Sequence, residues 1–183
     1  MKNRLIELFN PKDIFKTRAL VLMALMVALS TALSAVEVYL DPTQKLFSFA
    51  YLPRAMAAIL FGPWAALAVA FVSDLTSFVA SSSGFAYFPG YALSAMVADF
   101  LCALLLYKRE LSFWRVAVWR GLVIVFVIFG LNSIWMIMFY GVEAGKYFSL
   151  FRVVRNLFQL PLDIYLVTKL GRDMRKFLAG GWK

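Results

Sequence analysis

Residues 116–140 read VAVWRGLVIVFVIFGLNSIWMIMFY, an apolar run in which Arg120 is the one charged side chain. A run of this length exceeds the ~20 residues that an α-helix needs to cross the hydrocarbon core of a bilayer. The rest of the chain agrees, because its 183 residues are 63% hydrophobic and 16% charged, with a mean hydropathy of +0.79. Soluble domains are ~45–50% apolar and ~25% charged. The composition therefore excludes a water-soluble globule and predicts a membrane protein with several spans.

Proline, glycine and charged residues divide the remaining apolar sequence into five further spans. We place the six predicted spans at about 19–38, 46–61, 64–80, 89–107, 116–140 and 151–170. Gly62-Pro63 is predicted to end the second span, and residues 141–149 are predicted to form a loop. The predicted fold is an all-α polytopic membrane protein, a bundle of six transmembrane helices. Its segments are a basic cytoplasmic lead (1–18), the six-helix membrane domain (19–170) and a basic cytoplasmic tail (171–183).

The net charge of +9, from 19 basic and 10 acidic residues, is concentrated between the apolar runs. Three basic clusters lie on one side of the predicted topology: Lys2, Arg4, Lys12, Lys16 and Arg18; Lys108, Arg109, Arg115 and Arg120; Lys169, Arg172, Arg175, Lys176 and Lys183. Cytoplasmic flanks of membrane helices carry such an excess of Lys and Arg. We therefore expect both termini in the cytoplasm and no nucleic-acid partner.

The sequence offers little to catalysis. There is no histidine and one cysteine, Cys102, and neither a Gly-x-Ser-x-Gly motif nor a clustered set of carboxylates is present. Residues 141–147 come nearest to a phosphate-binding loop, but they have one residue too few between the glycines and Tyr147 in place of Ser or Thr. We expect no enzyme activity, no cofactor and no metal, so that ATP-driven work would require a partner.

Several ionisable residues fall well inside predicted spans, among them Arg54, Asp74, Asp99 and Asp163, and Glu37, Arg152 and Arg155 lie near the outer ends of spans. A charge at the bilayer centre costs at least ~2.5–3.5 kcal/mol on insertion scales, so each is expected to face the bundle interior or a wet cavity. Five cations are predicted toward the external half, among several aromatic residues: Lys45, Arg54, Lys146, Arg152 and Arg155. This combination suits an anionic ligand with a flat ring, or alternatively an interfacial aromatic belt with snorkelling cations.

The segment 81–90 reads SSSGFAYFPG, and its glycines and proline bracket three aromatic residues. Irregular backbone near membrane depth persists only where protein or water covers its amides, so this segment favours a pocket wall or lid.

In the first span, Ala24, Ala28 and Ala32 repeat at a spacing of four. Such a stripe lets another helix approach closely. That helix could belong to the same bundle or to a partner protein, and the sequence leaves both interpretations open.

Five blocks of sequence carry a family resemblance. They are FSFAYLP (47–53), ILFGP (59–63), SGFAYFPGYALSA (83–95), LNSIWM (131–136) with Tyr140-Gly141, and FRVVRNLFQLP (151–161). From Arg18 to Gly171 the chain resembles the substrate-binding S components of energy-coupling factor (ECF) vitamin transporters, and among them the folate group.

The resemblance implies a subunit of the bacterial plasma membrane that captures folate from outside for ATP-driven import. Its partners would be the transmembrane coupling protein EcfT and two ATPases, with Ala24, Ala28 and Ala32 forming the docking face. Asn132 and Trp135 would bind the pterin ring beside Tyr87, Phe88 and Pro89. The glutamate carboxylates would meet Arg152, Arg155 or Lys45, and the pterin N–H groups would meet Asp74 or Asp163. Two alternatives stay open: another water-soluble vitamin such as pantothenate, or a non-transport membrane protein that binds partner helices.

Overall fold

The computed structural model describes residues 16–35, 38–41, 44–47, 49–81 and 87–181, with backbone alone for 38–41, 44–47, 81, 139–140, 142–153 and 178–181. Its elements are α1 (Thr17–Ala35), β1 (Val38–Asp41), β2 (Gln44–Phe47), α2 (Tyr51–Phe61), α3 (Pro63–Ser81), α4 (Pro89–Leu106), α5 (Phe113–Leu122), the π-helix π1 (Val123–Leu131), α6 (Asn132–Tyr140) and α7 (Val142–Gly181). Because α5, π1 and α6 follow one another without a break, the described helices form six rods, as predicted. Residues 1–15 of the predicted lead and 82–86 of the irregular segment lie outside the described residues.

Four of the described rods are long and apolar enough to cross a membrane. They are Thr17–Ala35, Pro63–Ala80, Pro89–Leu106 and Phe113–Met138, whose hydropathies lie between 1.5 and 2.3. Large apolar side chains cover their outer surfaces, including Val79 at 78% exposure and Trp114 at 76%. Contiguous apolar surface of this kind requires lipid or a partner around it. The chain is therefore a multi-pass membrane protein.

The helix α2 lies at the centre of the bundle and packs against α1, α3, α4 and α7. Its side chains Ala55, Ala57 and Ala58 are fully buried, and their small size lets the neighbouring helices approach closely. The helix ends where Gly62 adopts φ 89°, a conformation that L side chains rarely adopt, and Pro63 opens α3. The predicted break at Gly62-Pro63 is confirmed.

The connection between the first two spans differs from the prediction. The spans were expected to end at Val38 and to restart at Leu46, whereas both residues belong to an antiparallel hairpin of β1 and β2. The second helix begins only at Tyr51 and has 11 residues. The predicted bounds of the first two spans were wrong in this segment, because short apolar runs do not distinguish a strand from a helix. The described bundle is otherwise helical, as predicted.

The sixth rod is longer than predicted at both ends. Residues 142–149, predicted as a loop, are helical, and the 40-residue α7 continues past Leu170 to Gly181. Gly171, which was expected to begin the tail, lies inside the helix, where an added Cβ would come within 2.7 Å of Leu111. The glycine thus permits close packing against the α4–α5 turn. A glycine inside a helix costs only ~1 kcal/mol relative to alanine, an amount that packing readily offsets.

The end of α7 is fastened to the ends of two other helices by Arg175. Its guanidinium donates hydrogen bonds to the carbonyl of Arg109, to that of Leu106 at 2.7 Å and to that of Ile59 at 3.4 Å. These carbonyls lie at or near the C-terminal ends of α2 and α4, where a cation is also favoured by the helix dipole.

We therefore expect Arg175→Ala to lower the free energy of unfolding by about 2 kcal/mol, because it removes hydrogen bonds made by a charged donor. Thermal unfolding of the detergent-purified protein measures the effect as a lower Tm. Lys176→Ala is the matched control, since Lys176 is a neighbouring, exposed cation. Equal Tm values for the two variants would contradict the fastening role.

Candidate binding site

A partly open cavity of about 290 Å³ lies between α2, α3, α4 and the α5–π1–α6 rod. Its walls are formed by Tyr51, Arg54, Asp74, Tyr91, Ser94, Ala95, Ala98, Asp99, Trp119, Arg120, Val123, Val127, Ile128 and Asn132. Along α4 the lining runs from Tyr91 to Asp99, a distance of roughly 12 Å at the helical rise. The volume of this cavity is close to the lower end of the range for small-molecule sites, and its lining mixes apolar side chains with polar and charged ones.

The deep end of the cavity is bounded by a buried ion pair. Arg120 donates from Nε to Asp163 Oδ2 at 2.7 Å, and its Nη2 lies 2.6 Å from the same oxygen. The other oxygen, Oδ1, accepts from the Tyr51 hydroxyl and from Gln159 Nε2, the latter at 3.1 Å. The Arg120 guanidinium also lies 4.5 Å from the centroid of the Tyr51 ring. Both charges are thereby paired, as buried charges require.

Arg54 and Asp99 form a second pair on the wall of the same cavity. Arg54 Nε lies 3.3 Å from Asp99 Oδ2, an ion-pair distance at which the N–H does not have hydrogen-bond geometry. Both of these buried atoms lack a hydrogen-bond partner among the described residues, as does Asn132 Oδ1. Buried polar atoms in folded proteins are nearly always hydrogen-bonded, so each of these atoms is available to a ligand or to water.

Aromatic side chains converge near Trp135 at the other end of the cavity. Trp135 Nε1 donates to Ser94 Oγ at 3.1 Å, which fixes the indole against α4. The ring of Phe88 meets Trp135 edge-on at 5.4 Å and Tyr91 at 5.8 Å. Gly90 makes this possible, since an added Cβ there would lie 2.1 Å from the Phe88 ring and 2.9 Å from the indole. Fixed aromatic faces of this kind can stack on a flat ligand ring.

Tyr87 and Asp74 connect the segment before α4 to α3. The Tyr87 hydroxyl donates to Asp74 Oδ2 at 3.2 Å, and the Tyr87 ring meets Phe78 edge-on at 5.1 Å. Burial, and then the Asp74 carboxylate, raise the pKa of the Tyr87 phenol. The phenol therefore remains protonated at neutral pH and keeps its role as the donor to Asp74.

The structure brings together part of the predicted site. Asp74 and Asn132 line the cavity, and Tyr87, Phe88 and Trp135 are linked to its wall by the contacts above. Asp163 does not line it, and both of its oxygens are already hydrogen-bonded. Pro89 is the exposed first residue of α4, and Arg155 is half-buried on α7. The side chains of Lys45 and Arg152 lie outside the described residues, as does that of Lys146.

Ala24, Ala28 and Ala32 all have exposed side chains on α1, while Met23, Met26 and Ser30 of the same helix are buried. The alanine stripe is thus not used for packing within the described bundle. No group of three or more potential metal ligands occurs in the part of the chain that the structure describes.

The comparison with known families covers most of the chain. Residues 18–170 match the family described as "ECF transporter, substrate-specific component". The chain belongs to this family. The predicted family is thereby confirmed, over nearly the range from Arg18 to Gly171 that the resemblance covered.

Two relatives of this S component are curated as "Folate transporter FolT". The protein from Leuconostoc mesenteroides subsp. mesenteroides is 32% identical over 153 residues, covering 81% of each chain. The protein from Clostridium novyi is 28% identical over 152 residues, covering 83% of this chain and 87% of its own. Among solved structures, one described as "Crystal structure of FolT bound with folic acid" aligns with a TM-score of 0.77 and 26% identity, over 86% of this chain and 95% of that one.

Of the residues that line the S component's cavity, Asp74 and Asn132 were among the predicted site residues. The lining residues that form the ion pairs and their contacts were not: Tyr51, Arg54, Asp99 and Arg120. The assignment of Arg120 to a cytoplasmic basic cluster was wrong, because its side chain is 7% exposed and paired with Asp163. A signal was present in the sequence, since Arg120 is the one charge in the apolar run 116–140. Arg54 and Asp99 were expected to face the interior or a cavity, and both do so, but their pairing spans two helices.

Proposed function

We propose that this S component binds folate from outside the cell and delivers it for ATP-driven import. The cavity supports the proposal, because ionised groups bound its deep end and the aromatic residues Trp135 and Phe88 pack against its lining residues Ser94 and Tyr91. A pterin is flat and has several hydrogen-bonding atoms on one edge, so it matches both features. Relatives curated as folate transporters, and a similar fold solved with folic acid, support the same ligand.

Within this proposal the pterin stacks beside Trp135 and Phe88 and is hydrogen-bonded by Asn132. Asp74, held by Tyr87, supplies a carboxylate at the α3 wall. Arg155, Arg152 and Lys45 bind the glutamate carboxylates, with Arg offering paired hydrogen bonds. Pro89 contributes by starting α4 next to Phe88 and so fixing the direction of that ring. We assign Asp163 to holding Arg120 at the deep end, because its own oxygens are occupied.

The transporter would lie in the bacterial plasma membrane with both termini in the cytoplasm. Even without Arg120, the three basic clusters retain most of the Lys and Arg residues, which is the bias expected of cytoplasmic flanks. Import would require EcfT and two ATPases, since the S component carries no nucleotide-binding motif. The exposed stripe of Ala24, Ala28 and Ala32 is the surface we assign to EcfT.

Calorimetric titration of the detergent-purified protein, stripped of bound ligand, tests the ligand directly. We expect stoichiometric binding of folic acid and no heat with pantothenate. Binding of pantothenate alone would show that the protein is a vitamin transporter subunit whose ligand is pantothenate and not folate. A folded protein that binds neither compound would overturn the proposal.

Trp135→Ala is expected to weaken folic acid binding about 10- to 100-fold, because it removes the stacking face and the group held by Ser94. Trp114→Ala is the matched control, since Trp114 is 76% exposed, whereas Trp135 is held against the lining residue Ser94. Titration of both variants at equal protein concentration makes the comparison. If the two variants bind folic acid with equal affinity, the pterin does not stack on Trp135.

A further inference from the structure

Three of the residues that line the cavity each have a buried polar atom without a hydrogen bond in the described structure, and the chemistry of these atoms is specific. Arg54 Nε is a donor, while Asp99 Oδ2 and Asn132 Oδ1 are acceptors. The side chain of Asp99 is 3% exposed, so the Oδ2 lone pairs have little access to bulk water. A buried carboxylate oxygen without a hydrogen bond is costly, and a bound ligand that donates to it removes that cost.

We propose that the Arg54–Asp99 pair is the specificity determinant for the pyrimidine edge of the pterin; this inference rests on the proposed function. Arg54 Nε and Asp99 Oδ2 lie side by side at 3.3 Å, presenting a donor next to an acceptor. The 2-amino-4-oxopyrimidine edge has the complementary order, an acceptor at O4 next to donors at N3–H and the 2-amino group. Arg54 donates to O4, and Asp99 accepts from N3–H and the 2-amino group.

The position of the pair along the cavity agrees with this assignment. Asp99 lies on α4 about two helical turns beyond Tyr91, and so on the far side of the cavity from the aromatic residues around Trp135. In folic acid the pyrimidine edge is opposite the arm that carries the aminobenzoyl-glutamate. A folate that enters pterin-first therefore brings this edge to the pair and leaves its glutamate toward the opening.

Neither of the carboxylates that the sequence suggested for this role is as well placed. Both oxygens of Asp163 already accept hydrogen bonds, from Tyr51, Gln159 and Arg120. Asp74 Oδ2 accepts from the Tyr87 hydroxyl. Among the carboxylates that bound the cavity, Asp99 is the one with an oxygen that is both buried and without a hydrogen bond in the described structure.

Titrating the full-length purified protein with folic acid and its 2-desamino-2-methyl analogue tests the proposal. We expect the wild-type protein to bind the analogue about 10- to 100-fold more weakly, because the analogue leaves a charged acceptor without its donor. Asp99→Asn should weaken folic acid binding by a similar factor and reduce the preference for folic acid to about threefold or less. Asp173→Asn, the same change at an exposed aspartate of α7, should keep the wild-type affinity and the wild-type preference.

The two proposals fail in different ways. A wild-type protein that binds folic acid and its analogue equally well overturns the role of Asp99 and leaves the folate function intact. The same holds if Asp99→Asn retains the preference. If the folded wild-type protein does not bind folic acid at all, both proposals fall. Because the analogue comparison uses the wild-type protein, equal binding of the two compounds overturns the proposal even if Asp99→Asn does not fold. In that case Asp99→Glu, which keeps the charge and moves the carboxylate, replaces Asp99→Asn and should also reduce the preference.

Discussion

Asp163→Ala is expected to lower the free energy of unfolding by about 3–5 kcal/mol, the largest stability loss that we predict from a single substitution in this protein. Asp163 is fully buried and receives hydrogen bonds from Tyr51, Arg120 and Gln159. Its removal leaves the Arg120 guanidinium charged and unpaired inside the bundle, since an arginine does not lose its proton in proteins. Thermal unfolding in detergent, followed by circular dichroism, measures the loss as a fall in Tm.

The double variant Arg120→Met/Asp163→Leu separates the cost of an unpaired charge from the loss of packing. Replacing a buried ion pair with apolar residues of similar volume is often neutral for stability, so the double variant should recover most of the lost Tm. Asp173→Ala, which removes an exposed aspartate from the same helix, should leave the Tm unchanged. A stable Asp163→Ala protein with lost folate binding would instead place Asp163 in direct contact with ligand.

The periodicity of apolar sequence was sufficient for most of the fold. The Gly62-Pro63 break and the start of α4 at Pro89 were predicted because proline and glycine act through local backbone geometry. The hairpin of β1 and β2 was not predicted, because short apolar runs do not distinguish a strand from a helix. The extension of α7 was not predicted either, because the sequence around Gly171 suggests a helix end, whereas the structure places Gly171 inside the helix, close to Leu111.

The sequence suggested individual residues of the candidate site but not how they pair. Asn132, Trp135, Phe88 and Tyr87, whose roles the family resemblance implied, lie in or beside the cavity, and their binding of ligand stays a prediction. The pairings of Arg54 with Asp99 and of Arg120 with Asp163 join residues 45 and 43 positions apart. Sequence showed that charges lay inside spans, yet it could not show which charge neutralises which.

Under the proposed function, ligand binding at the cavity and partner docking at the alanine stripe belong to two separate surfaces of the molecule. The cavity is bounded by α2, α3, α4 and the α5–π1–α6 rod, while α1 contributes no lining residue. On α1, the exposed side chains of Ala24, Ala28 and Ala32 follow one line along the helix. A change on that line can therefore alter assembly with a partner without altering the ligand site.

Ala28→Trp is accordingly expected to lower the rate of folate uptake about 100-fold or more. The affinity of the isolated subunit for folic acid should stay unchanged. Small residues let two helix backbones approach closely, and an indole at the centre of the stripe prevents that approach to EcfT. Each 1.4 kcal/mol of lost docking energy lowers assembly tenfold, so a loss of about 3 kcal/mol suffices. Uptake of labelled folic acid in proteoliposomes with the complete ECF module, and titration of the isolated subunit, give the two readouts.

Leu29→Trp provides the matched control, because Leu29 is also exposed, at 50%, but lies roughly 100° around the same helix from Ala28. We expect Leu29→Trp to keep most of the uptake, since its indole faces lipid beside the docking surface. Similar losses in both variants would show that bulk anywhere on α1 is harmful and would remove the special role of the alanines. Loss of folic acid binding in isolated Ala28→Trp would instead couple α1 to the cavity, contrary to the separation of the two surfaces.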